Sequence, residues 1–157
     1  MRPSPPFPPT DVLGGVVPVE LVVVRTRTVF MALHSATAFP GGVVLLVEVA
    51  ARASGLDMFP PDPQDEALFH VVYPDGTRAA TYGRDRVNGS LLHLGGGTSA
   101  DDRSMTGQWS LWLSPLPPPA PFTFGVEWPK FGIPEASVQV DGAAVVAASL
   151  RAQPYWA

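Results

Sequence analysis

Residues 108–135, QWSLWLSPLPPPAPFTFGVEWPKFGIPE, constrain the fold more than any other part of the chain. In the first seven, Trp109, Leu111 and Leu113 alternate against Gln108, Ser110 and Trp112. After a bridge of five prolines within 115–121, Phe122, Phe124, Val126 and Trp128 alternate against Thr123, Gly125 and Glu127. A period of two is that of a strand with one face in a core. The prolines lack the N–H that a continuous helix or a central strand would need, so the bridge separates two strands.

The two strands have two possible relations. As an antiparallel hairpin, their patterns select one register. Trp109 lies opposite Trp128, Leu111 opposite Val126 and Leu113 opposite Phe124. On the other face Ser110 meets Glu127 and Trp112 meets Gly125. A slip of one residue would turn one apolar set to solvent. A large aromatic across from a glycine covers the backbone that the glycine leaves bare. That makes Trp112, with Ser110, Gly125 and Glu127, the candidate interaction surface. Alternatively the bridge carries the chain to a facing sheet. Seven residues of polyproline reach roughly 20 Å at ~3.1 Å each, ample for sheets ~10 Å apart. The hairpin is favoured because consecutive strands are neighbours about two-thirds of the time.

The remaining chain reads the same way. Val19, Leu21 and Val23 alternate with Glu20, Val22 and Val24, and Val29, Met31 and Leu33 alternate with Phe30, Ala32 and His34. A turn at 39–42 precedes the apolar run VVLLVEVAARA, in which the valines favour strand over buried helix. Pro74-Asp75-Gly76 separates LFHVVY from TRAATY as a tight turn, proline presetting φ and glycine taking φ > 0. Between 83 and 107 only SLLHL has a strand pattern, and GGGTSADDRSMTG reads as a mobile loop. Near the end, Asp141-Gly142 between two apolar runs favours a two-residue hairpin over a short helix at 143–150 capped by Asp141. About nine short strands with frequent turns predict an all-β antiparallel β-sandwich, immunoglobulin-like or a related Greek-key arrangement.

Composition narrows the organisation. The 157 residues suit a single domain, here 12–157, after a proline-rich, flexible tail at 1–11. With no cysteine there is no disulfide and no thiolate metal site. No leader-like segment and no long apolar run is apparent, so the expectation is a cytoplasmic protein without a membrane role. A net charge of −4, with scattered basic residues, argues against nucleic acid as a partner. Only 15% of residues are charged and 46% are hydrophobic, so part of the surface must be apolar, which favours a protein partner or self-association.

The central stretch, together with VVYPDGTR, LHLGGGTS, VDGAAVVAASLRAQPYW and the opening VPVELVVVRTRTVFMALHSATAFPGGVVLLVEVAAR, resembles an uncharacterised family of small all-β actinobacterial proteins. The resemblance covers nearly the whole chain after the proline tail. It implies one complete domain, and since that family has no assigned activity it carries over no functional residue.

Chemistry-bearing residues give weak patterns. His34, His70 and His93 each sit in an apolar strand, with no spacing that would join them in a zinc site. The carboxylates at 57, 62, 65, 66, 85, 101 and 102 lie in loops without calcium-loop spacing. Ser99 follows a glycine run, but no phosphate-loop lysine follows and no G-x-S-x-G occurs. Asn88-Gly89-Ser90 matches a glycosylation sequon only formally and reads as a turn. No catalytic, cofactor-binding or metal-ligating residue is therefore assigned, and no cofactor is expected. The leading expectation is a non-enzymatic interaction or structural module that mediates self-association or contact with a protein partner, because its apolar strands demand cover. The alternative is a small-ligand or carbohydrate-binding domain using aromatics such as Tyr82, Trp112, Phe131 and Trp156. A hydrolase with a loop-built site around His93, Asp101 and Asp102 is the third reading.

Overall fold

A computed structural model describes residues 7–52, 66–81, 90–101 and 103–157. It is an antiparallel β-sandwich, as the alternation predicts. One sheet has five strands, in the order β2 (Gly15–Arg25), β3 (Val29–Phe39), β4 (Gly42–Ala51), β8 (Met105–Ser114) and β7 (Ser90–Ala100). The facing sheet has four, in the order β10 (Ile133–Val140), β9 (Phe122–Trp128), β5 (Leu68–Val72) and β6 (Arg78–Ala80). A two-residue pair, β1 (Val12–Leu13) with β11 (Gln153–Pro154), brings the described strands to eleven rather than about nine.

The core lies between the two large sheets. Met31, Leu33, Leu45, Val47, Trp109, Leu111 and Leu113 enter it from one side, and Phe69, Val71, Phe122, Phe124, Val126 and Trp128 from the other. Trp109 meets Trp128 edge-on at 5.8 Å between ring centroids and Phe69 at 6.1 Å. Such edge-to-face pairs add about 0.5–1.5 kcal/mol each beyond area burial.

The predicted tryptophan hairpin is not formed. β8 pairs with β4 and β7, β9 pairs with β5 and β10, and the proline bridge takes the chain from one sheet to the other. Trp109 and Trp128 are still near each other, but across the core rather than along a ladder. The physical reason is that the apolar faces of the two strands can meet through the sandwich as well as side by side. A rigid bridge long enough to span the gap permits the former.

Two other expectations are corrected. The glycine run at 95–97 belongs to β7 and pairs with β8 along Ser110 to Gln108. Gly95 takes φ 101° at a register shift after His93, so glycine supplies the bulge that keeps the strand going. After β10 the chain forms helix α1 (Gly142–Ser149), not a hairpin. Asp141 caps it, its Oδ1 accepting from the Ala144 N–H at 3.2 Å. The helix packs on β2 and β3 and adds Val145 and Ala148 to the core, a burial that outweighs the local hairpin signal.

The predicted Pro74-Asp75-Gly76 turn is present. Gly76 has φ 89°, and Asp75 Oδ1 accepts from the Thr77 N–H at 3.0 Å and its hydroxyl at 2.7 Å.

Candidate functional site

Strand registers place the outer face of the five-stranded sheet residue by residue. One rung runs across all five strands as Val22, Ala32, Glu48, Gln108 and Gly97. The next runs as Arg25, Phe30, Ala50, Thr106 and Ser99. Side chains are small or missing at Ala50, Gly97 and Gly107, and larger at Phe30, Glu48 and Gln108. The result is an open groove of about 590 Å³ with polar groups from Glu48, Thr98, Ser99, Thr106 and Gln108 and one aromatic wall, Phe30. That volume lies within the range of roughly 300–1,000 Å³ typical of small-molecule sites. A β-carbon built at Gly97 meets no atom within 4 Å, so the missing side chain there is open space in the groove.

The groove continues past Phe30, Ala50 and Thr106 into a second hollow of about 320 Å³, lined also by Thr26, Arg27, Thr28, Arg52 and Ser104. The turn at that end is held by Thr26, whose Oγ1 accepts from the N–H groups of Thr28 and Val29 at 3.2 and 2.9 Å. At the other end His34 Nε2 stands 4.0 Å from Glu48 Oε1, both partly exposed.

The four residues read as an interaction surface do not share a face. Trp112 is on the outer side of the five-stranded sheet, as alternation requires, yet it is fully buried, at 0% exposure. Its ring lies over Gly42, where a β-carbon would come within 2.6 Å of it, and edge-on to Phe39 at 6.1 Å. An aromatic does cover a glycine, but the glycine is Gly42 rather than Gly125. Ser110 lies one rung from Gln108, beside the groove. Gly125 and Glu127 are on the other sheet, opposite His70 and Leu68 of β5.

At Gly125 a different cluster forms. The His70 ring sits over the glycine, and its Nε2 lies 3.1 Å from Glu135 Oε1, an ion pair when the ring is protonated. Burial and the charge of Arg78 hold its pKa below the ordinary 6.5, against the pull of Glu135 and Glu127. His70 is only 4% exposed, so it has little access to a substrate. The arrangement suits packing better than proton transfer.

His93 faces inward, tilted against Phe69 and Trp109 at 5.9 and 5.5 Å, with its Nδ1 accepting from the Gly95 N–H at 3.1 Å. Asp101 is at the far end of β7, where its Oδ1 accepts from the N–H groups of Arg103 and Ser104 at 2.8 and 2.7 Å. Eight residues of strand separate them, about 26 Å at ~3.3 Å per residue, so the hydrolase constellation does not converge. Asp102 lies outside the described residues, as do Tyr82 and the carboxylates at 57, 62, 65 and 85. The three histidines occupy three separate surroundings, and among the described residues no group of three potential ligands could hold a metal ion. No helix there is long and apolar enough to cross a membrane.

The aromatics read as a sugar platform are also dispersed. Phe131 packs on Trp128 at 4.6 Å, and Trp156, 77% exposed, adjoins Tyr155. The aromatic that lines the groove is Phe30. The signal for it was the alternation of Phe30, Ala32 and His34 on the face opposite the core residues, with Glu48 the lone charge in the next strand.

Comparison with protein-family models, curated proteins and solved structures finds no match.

Proposed function

We propose that the protein is a non-enzymatic binding module that takes a hydroxylated small ligand or saccharide in the groove on its five-stranded sheet. The observation that carries this reading is the cleared floor at Ala50 and Gly97, ringed by Phe30, Glu48, Gln108 and Thr106. Hydroxyl, amide and carboxylate groups suit sugar hydroxyls, and an aromatic ring suits the C–H face of a sugar ring. A saccharide panel read by thermal shift tests it. Binding should raise the melting temperature of the native chain and not that of Gly97→Phe, which fills the groove. A flat response to every saccharide would end the reading.

A second reading, contact with a protein partner or another copy of this chain, is supported by the edge strands. β2 carries Pro18 and a bulge with Glu20 at φ 55°, β10 carries Pro134, Glu135 and a bulge, and β6 has three residues. Such features discourage strand addition. β7 has eleven residues with no proline, lysine, arginine or acid. Self-association along this edge predicts a dimer at high micromolar concentration by light scattering, abolished by Leu94→Lys. A monomer throughout would remove it.

A further inference from the structure

The groove does not end in neutral surface. Arg25 closes β2, Arg27 lies in the β2–β3 turn, Arg52 follows β4, and Arg103 lies in the β7–β8 turn. Four of the chain's ten basic residues thus gather at one end of one sheet, although the net charge is −4. Arg27 and Arg52 line the second hollow, and Arg25 stands 5.8 Å from the Phe30 ring centroid. Among the described residues no carboxylate is within salt-bridge distance of these arginines. Asp101, the acid in the same turn among the described residues, is occupied in capping that turn.

We propose, building on the saccharide reading above, that the ligand is an acidic saccharide: a short chain of hydroxylated rings that carries an oxyanion. The oxyanion binds at Arg27 and Arg52, a ring lies against Phe30 over Ala50, and hydroxyls reach Thr106, Gln108 and Glu48. A planar guanidinium matches a carboxylate, sulfate or phosphate through paired N–H bonds. Glu48 does not oppose this. It is four strand residues from Arg52, about 13 Å, beyond the Debye length of about 8 Å at physiological salt. The same separation leaves room for two linked rings. A free anion would use only the arginine end and leave the cleared floor empty, whereas a neutral saccharide would leave the arginines without a partner.

Isothermal titration with digalacturonate, the neutral disaccharide of the same linkage and inorganic phosphate separates these cases. The acidic disaccharide should bind roughly tenfold more tightly than the neutral one, an advantage lost in R27Q/R52Q and at high salt. Gly97→Phe should weaken both disaccharides while leaving the fold unchanged by circular dichroism. Equal binding of the two disaccharides overturns the acidic assignment but leaves the saccharide reading standing. Phosphate binding as tight as digalacturonate also overturns it, because the rings would then contribute nothing. Absence of any binding overturns both readings.

Discussion

The imidazole of His70 occupies the space above Gly125 that a β-carbon would need. The two residues are register partners on β5 and β9, and Glu135 approaches the ring from beside them. Gly125 is therefore a close-approach glycine, placed for the ring and not for a turn. Gly125→Ala should cost about 1–3 kcal/mol by overpacking. In urea denaturation, His70→Ala should recover part of that loss in the double variant, a non-additivity that two independent sites would not show.

Acid should destabilise the fold from near neutrality. Burial lowers the pKa of both His70 and His93 from 6.5, with Arg78 also lowering His70, Glu135 and Glu127 raising it, and Glu66 raising His93. A folded pKa below the unfolded one means that the unfolded chain takes up protons first. The stabilisation is complete above pH 6.5 and declines as pH falls through that value toward the lowered pKa values. The urea midpoint should drop as pH falls through 6.5, and His70→Gln should make that decline shallower.

Tyr73 predicts an alkaline limb of the opposite sign. Burial, with Asp75 adding to it, pushes its phenol from 10.0 up to about 12. Stability is kept below pH 10 and lost as pH rises toward 12. Its hydroxyl is buried without a hydrogen-bond partner among the described residues. Tyr73→Phe should therefore leave stability at neutral pH unchanged or slightly raised, and should remove the alkaline loss.

The tryptophans should separate by burial. Trp112→Ala should cost about 3–5 kcal/mol, as for a core aromatic. Trp156→Ala should stay within about 0.5 kcal/mol. Acrylamide should quench Trp156 in the native protein and reach the buried Trp109, Trp112 and Trp128 only on unfolding.

Helix α1 depends on its cap. Asp141→Ala should lose about 1 kcal/mol, while Asp141→Asn, which keeps an accepting oxygen, should lose little. Equal losses in urea denaturation would place the effect elsewhere.

Much of the fold was legible because alternation is a local property of each strand. Trp109, Leu111 and Leu113 on one strand, and Phe122, Phe124, Val126 and Trp128 on another, face the core as their spacing required. The groove was only partly legible. Phe30 and Glu48 stood out on an outer face, but their meeting with Gln108 and Gly97 depends on β4 lying beside β8 and β8 beside β7. Strands far apart in sequence supply those neighbours.

The sequence by itself determined most of the long strands, the core faces of the alternating ones and the tight turn at Pro74-Asp75-Gly76, since each follows from steric preferences within a few residues; it did not reveal that the glycine run at 95–97 continues a strand. Only the tertiary structure decided which strands pair, that the proline bridge crosses the sandwich, that 142–149 is a helix, and that Trp112 is covered. Those outcomes come from burial summed over the whole core. Alternation marks an apolar face, but the side chains that finally cover it come from wherever the chain's packing brings them.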